Sequence, residues 1–192
     1  MSVLVLQNAQ LIDPEAGTVS PMNMRIENGL ITALSPTPLT APPGAVIRDC
    51  QGKYLAPGIV DIGVKVCEPG ERHKESFKSA GLAAAAGGIT TMVTRPDTTP
   101  AIDSPETLEF VTRRANQATP VQVIPMAALT KARAGREMSE IGFLMDAGAI
   151  AFTDCDHVVS NPKVFARALS YASALGALVI AHPQDPGLSN GA

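Results

Sequence analysis

From Leu55 onward the sequence alternates short apolar runs with helical stretches, and no other feature constrains the fold as much. Strand-length apolar runs fall at residues 59–66, 90–94, 121–127, 149–153 and 177–181, and the stretches 76–86, 105–115, 139–147 and 162–175 between them read as helices. The Ala-rich end of the first helix has high helix propensity, and Gly87-Gly88 terminates it. Ser104-Pro105 and Asn161-Pro162 each pair a capping residue with a proline suited to the first helical position. Strand–helix alternation of this kind predicts βαβ units and a parallel sheet.

Before Leu55 the pattern is different. Val3-Leu4-Val5-Leu6 is an apolar run, residues 8–17 read as a turn region around Asp13-Pro14, and 22–27 and 30–34 flank Asn28-Gly29. Asn-Gly between two such runs is a hairpin signal. Residues 35–44 are rich in Pro and Thr and read as a loop, and 45–50 is a further short strand. We therefore expect a small all-β unit over 1–54 and an α/β region over 55–192. Five strands and four helices are too few for a closed (β/α)8 barrel. The expectation is a truncated barrel, and the alternative is a complete doubly wound sheet of five strands.

Composition excludes several classes of function. A net charge of −3 leaves no electrostatic footprint for nucleic acid, and 4% aromatic content with no Trp leaves no stacking platform. No basic stretch followed by an apolar core suggests a signal peptide, and no apolar run approaches the ~20 residues that span a bilayer. Cys50, Cys67 and Cys155 are an odd, widely spaced set, which points to a reducing cytoplasm.

The chemistry-bearing segment is 57–70, which reads Pro-Gly-Ile-Val-Asp-Ile-Gly-Val-Lys-Val-Cys-Glu-Pro-Gly. It resembles the first barrel strand of dihydroorotases and related cyclic amidohydrolases, where the pattern is P-G, two hydrophobics, then D-x-H-x-H-x-R-x-P-G. Further blocks carry the resemblance in order: Leu11-Ile12-Asp13-Pro14, Ile26-Glu27-Asn28-Gly29, Glu75 to Gly81, Ala85 to Thr91, Arg95-Pro96-Asp97-Thr98-Thr99-Pro100, Ala128-Leu129-Thr130-Lys131, Ala151-Phe152-Thr153-Asp154 and Ala181-His182-Pro183. The resemblance implies an amidohydrolase-type TIM barrel with part of a companion β-sandwich. It also implies zinc held by the two histidines of strand one, by a carboxylate or carboxylated lysine after strand four, and by later histidines.

This chain departs from that pattern at the metal. The histidine positions, two and four residues after Asp61, carry Gly63 and Lys65, and the substrate-binding arginine position carries Cys67. The bridging position falls on Cys155, with Asp154 and Asp156 as neighbours that a one-residue slip would bring in. Asp97 replaces an asparagine, and His182 alone matches a family ligand. We expect no resident cofactor. Lys65 is expected to turn inward and pair with Asp61 or Asp154. Three other readings stay open: a Schiff-base role for Lys65, a new zinc set of Cys67, Cys155 and His182, and an anion or protein contact through Lys131, Arg133 and Arg136. For those three basic residues, and for His73 and His157, solvation is the simpler expectation.

The resemblance implies a non-catalytic, dihydroorotase-like protein of pyrimidine biosynthesis. Some family members lacking the histidines are structural partners of aspartate transcarbamoylase, and the same role is the expectation here. The C-terminal half of the barrel is another candidate partner, as is an oligomer of the chain. The alternatives are an active metal-dependent dihydroorotase, hydantoinase or allantoinase with an altered site, and a module that binds a small molecule around Lys65, Asp97 and His182 without converting it.

Overall fold

The structure is a computed structural model describing residues 2–185, 188 and 189 of the 192. The chain divides into two compact units, Met1–Pro57 and Gly58–Ala192.

The first unit is one mixed sheet. Its strands are β1 (Val3–Asp13), β2 (Thr18–Glu27), β3 (Leu30–Ser35), β4 (Val46–Asp49) and β5 (Tyr54–Leu55), in the order β3-β2-β1-β4 with β5 also on β1. β1 runs antiparallel to β2 and parallel to β4 and β5. The hairpin predicted at Asn28-Gly29 is present, with φ of 51° and 83° at its two central residues, the left-handed pair that a tight two-residue turn requires. The turn expected over 8–17 is much shorter. β1 passes through Asn8 with a register shift between Leu6 and Ala9 and continues to Asp13. Asn8 takes φ 56° and is held by Asn23 Oδ1 on its N–H at 3.1 Å and by Asp49 on its side-chain amide at 2.9 Å. A residue that reads as a turn former thus serves as a bulge.

The second unit alternates strand and helix throughout: β6 (Ile59–Val64), α1 (Phe77–Ala86), β7 (Ile89–Thr94), α2 (Pro105–Ala118), β8 (Gln122–Pro125), α3 (Ile141–Asp146), β9 (Ala151–Phe152), α4 (Pro162–Ala174) and β10 (Leu178–Val179). β6, β7 and β8 pair in parallel, β9 and β10 pair in parallel, and a parallel bridge between Ala127 and Phe152 joins the two groups. The strands lie in sequence order without the reversal that defines a doubly wound sheet, so the chain follows the barrel arrangement. The caps at Ser104 and Asn161 sit where the sequence puts them, and Ser76, expected inside the first helix, is a third. Ser76 accepts from Ser79 N–H in a reciprocal capping box, Ser104 from Thr107 N–H, and Asn161 from Lys163 and Val164 N–H groups.

Packing forms two layers. The helix side buries Phe77, Met92, Leu108, Val111, Leu144 and Phe152, among others. The opposite, barrel-interior face holds a small cluster of Val93, Met126 and Ala151. Gly81 lets α1 approach the end of α2, since a Cβ there would fall 2.6 Å from the Thr119 Cβ. Among the described residues, no helix is long and apolar enough to cross a membrane.

Candidate functional site

The segment after Asp61 is shaped by one extra residue. Ile62 pairs with Val93 and Val64 with Thr94, which leaves Gly63 unpaired at φ +94°. Side chains alternate faces along a strand, so the extra residue inverts that alternation. Val64 packs on the helix-side core, and Lys65 is turned to the other face. Its ammonium lies 3.1 Å from Asp97, not on Asp61 or Asp154 as expected from the sequence. Lys65 is also half exposed rather than buried, at 54% of its side-chain surface. Asp61 is exposed. A Schiff-base lysine needs a desolvated, apolar setting, and this ion-paired, solvated amine does not have one.

Asp97 is the buried centre of the site, with its side chain 3% exposed. Arg95, at the end of β7, donates to the same carboxylate oxygen at 2.8 Å and lies 3.7 Å from Asp156. Burial works against the Arg95 charge, but Asp97 and the Cys155 sulfur outweigh it and raise its affinity for the proton. Asp97 is thus neutralised by two cations.

Asp154 faces away from this group. It is buried and accepts from the Thr130 N–H at 3.0 Å and from the Thr130 hydroxyl, tying β9 to the loop after β8. Arg133 is not solvated as expected. Its guanidinium donates to the Asp154 carbonyl at 3.1 and 3.2 Å and pairs with Asp156. Lys131 pairs with Glu137, Arg136 is exposed, and His157 is exposed with Nδ1 3.0 Å from the Arg133 carbonyl. His73 is exposed, as expected. Cys155 is half-buried in a left-handed conformation, φ 58°. Burial pushes its thiol up, Asp97 adds to the shift, and Arg95 and Arg133 offset it only in part. His182 is exposed, with Nε2 2.9 Å from the Gln184 amide oxygen. Gly63, Arg95, Thr153, Cys155 and His182 line an open cavity of about 300 Å³.

The donor set of the described residues does not fit zinc. Gly63 has no ligand atom, and the Lys65 ammonium offers no lone pair and repels a cation. Cys67, half-buried, Cys155 and His182 do not converge: among the described residues, no three His, Cys, Asp or Glu side chains gather closely enough to hold a metal ion. Gly63 also resists replacement. Nothing lies within 4 Å of a Cβ built there, but φ +94° is a conformation that L side chains rarely adopt. Gly63→Ala is therefore expected to destabilise the protein by about 1–3 kcal/mol from backbone strain alone, read as a lower urea midpoint with an unchanged m-value.

Comparison with known proteins places this geometry. The dihydro-orotase-like family model matches residues 52–192. The chain belongs to the dihydroorotase-like family. It is 36% identical over 188 residues to the dihydroorotase of Syntrophus aciditrophicus, which covers 98% of this chain and 44% of that protein. It is 37% identical over 182 residues to the dihydroorotase of Pelobacter propionicus, covering 95% of this chain and 43% of that protein. This dihydroorotase-like chain thus spans less than half the length of these relatives. The fold is also that of L-hydantoinase (dihydropyrimidinase) from Arthrobacter aurescens, with TM-score 0.79 at 21% identity over 96% of this chain and 41% of that one. D-hydantoinase from a Thermus species gives TM-score 0.75 at 23% identity, again over 96% and 41%. Among its described residues, the second unit of the dihydroorotase-like chain thus holds five strands and four α-helices of the fold these hydantoinases share.

Site residues that the sequence alone did not single out are Arg95 and Thr130. Arg95 stands two residues before Asp97, and nothing in the local sequence shows that its guanidinium shares the Asp97 carboxylate.

Proposed function

We propose that this chain is a dihydroorotase-like protein of pyrimidine biosynthesis that does not hydrolyse a cyclic amide and acts as a structural partner of aspartate transcarbamoylase. The observation that carries the reading is the Lys65–Asp97 pair at 3.1 Å, which puts a cation where the family's pattern has a zinc-ligating histidine. A barrel keeps its packed core and outer surfaces without its metal, so loss of chemistry leaves a scaffold available for assembly. On β6, Ile59, Val60 and Ile62 are more than half exposed, which supports further barrel strands beside this edge. The free cysteines suit a reducing cytoplasm.

Elemental mass spectrometry of protein purified without chelator tests the metal. Substoichiometric zinc and no metal-dependent turnover of dihydroorotate are expected. About one or two ions per chain, the occupancy of a working zinc site, would overturn the reading in favour of an active amidohydrolase with a rebuilt site. Co-purification with aspartate transcarbamoylase from the same cell tests the partner. A transcarbamoylase that never associates and is stable alone would remove that part of the proposal. The cavity at Arg95 and His182 favours a second reading, a module that binds a small molecule without converting it. Thermal stabilisation by dihydroorotate or carbamoyl aspartate without turnover would support it.

A further inference from the structure

The charged side chains at the C-terminal ends of the strands form one connected series across four loops. Lys65, after β6, lies 3.1 Å from Asp97, after β7. Arg95 donates to the same Asp97 oxygen at 2.8 Å and lies 3.7 Å from Asp156, after β9. Arg133, after β8, pairs with Asp156 and donates to the Asp154 carbonyl. The members of this series are not equivalent. Asp156 is 66% exposed, so solvent and salt screen its pairs. Asp97 is dry and carries two cations on one oxygen, and a buried carboxylate tolerates loss of its partners poorly. The glycine bulge at Gly63 is what turns Lys65 to this face. The loops concerned also hold local hydrogen bonds from their own backbone N–H groups. Glu71 N–H donates to the Cys67 carbonyl, Cys155 N–H to the Thr153 hydroxyl, and His157 N–H to the Asp154 carbonyl.

We propose that Asp97, clamped between Lys65 and Arg95, is the keystone of an ionic lock that fixes the strand-end loops of this domain without a metal ion. The lock rests on the reading of the site as zinc-free. It assigns Asp97 a positioning role and makes Lys65 the replacement for a ligand rather than a remnant.

Hydrogen–deuterium exchange on the full chain tests it, with zinc content measured on the same samples. In Asp97→Asn, the amides of Glu71, Cys155 and His157 are expected to exchange about tenfold faster, while those of α2 keep their wild-type rates. Lys65→Met is the second variant, because a half-exposed lysine is removable even if the Asp97 variant does not fold. It is expected to speed exchange at Glu71 and leave His157 unchanged. Faster exchange confined to residues 95–99 in Asp97→Asn, or wild-type exchange at Glu71 in Lys65→Met, would overturn the lock while leaving the zinc-free reading intact. Stoichiometric zinc in the wild-type protein would overturn both.

Discussion

Glu68→Ala is expected to destabilise the second unit by about 3–5 kcal/mol, the range for breaking a buried ion pair by removing one partner. Glu68 lies near the end of the 57–70 segment and is 5% exposed. One carboxylate oxygen accepts from Arg114 Nε on α2 at 2.7 Å and lies 3.5 Å from Arg72. The other accepts from the Phe77 N–H at 2.9 Å, the first residue of α1. The side chain therefore ties the loop after β6 to both helices, and its charge sits at the positive end of α1. Alanine would leave the Arg114 guanidinium and a helix N-terminal N–H without their acceptor. Chemical denaturation at neutral pH measures the loss, and a change below about 1 kcal/mol, the scale of an exposed pair, would contradict this account.

The same carboxylate predicts a pH dependence. Burial pushes the Glu68 carboxyl up, but the hydrogen bonds from Arg114 and Phe77 and the charges of Arg114 and Arg72 outweigh it, so its folded value lies below the ordinary 4.5. A depressed folded value means that stabilisation is full above 4.5 and is lost as pH falls through the folded value. Glu68→Gln keeps the shape and cannot ionise. The stability difference between wild type and Glu68→Gln is expected to be constant near neutrality and to shrink as pH drops below 4.5. A difference that grows on acidification would refute the assignment.

How much of this was legible in the sequence follows from how local each determinant is. The βα alternation and the caps at Ser104 and Asn161 are properties of a few neighbouring residues, and the structure reproduces them. Asn8 misled because an asparagine that tolerates positive φ suits a bulge as well as a turn, and only the partners Asn23 and Asp49 decide between them. Absence of ligand atoms at Gly63 and Lys65 was readable directly. Where the Lys65 ammonium goes was not, because that depends on the bulge at Gly63 and on the fold of a loop some thirty residues away. Solvation, the simpler expectation for Arg133, fails for the same reason. Its partners Asp154 and Asp156 are 21 and 23 residues along the chain, a juxtaposition set by the parallel bridge between Ala127, just after β8, and Phe152 on β9.

Asp154→Ala is the second large effect, and it separates a supporting role from a ligand role at a position next to the family's bridging site. Asp154 accepts from the Thr130 N–H at 3.0 Å and from the Thr130 hydroxyl, and that hydroxyl in turn accepts from the Gly135 N–H at 2.8 Å. Both Asp154 and Thr130 are buried, so alanine would strand two donors away from water at a cost of about 2–4 kcal/mol. The loop they hold carries Ala132 and Arg133 at φ 52° and 55°, conformations that persist only when their surroundings enforce them. Thr130→Val removes the hydroxyl from the same relay, so its cost should overlap with that of Asp154→Ala. The double variant is then expected to be less destabilised than the sum of the singles, with a coupling of about 1–3 kcal/mol in denaturation midpoints converted at a common m-value. A metal ligand would behave otherwise. Its loss would change zinc content and leave Thr130 energetically independent, so additivity accompanied by a fall in bound zinc would assign Asp154 to a metal site instead.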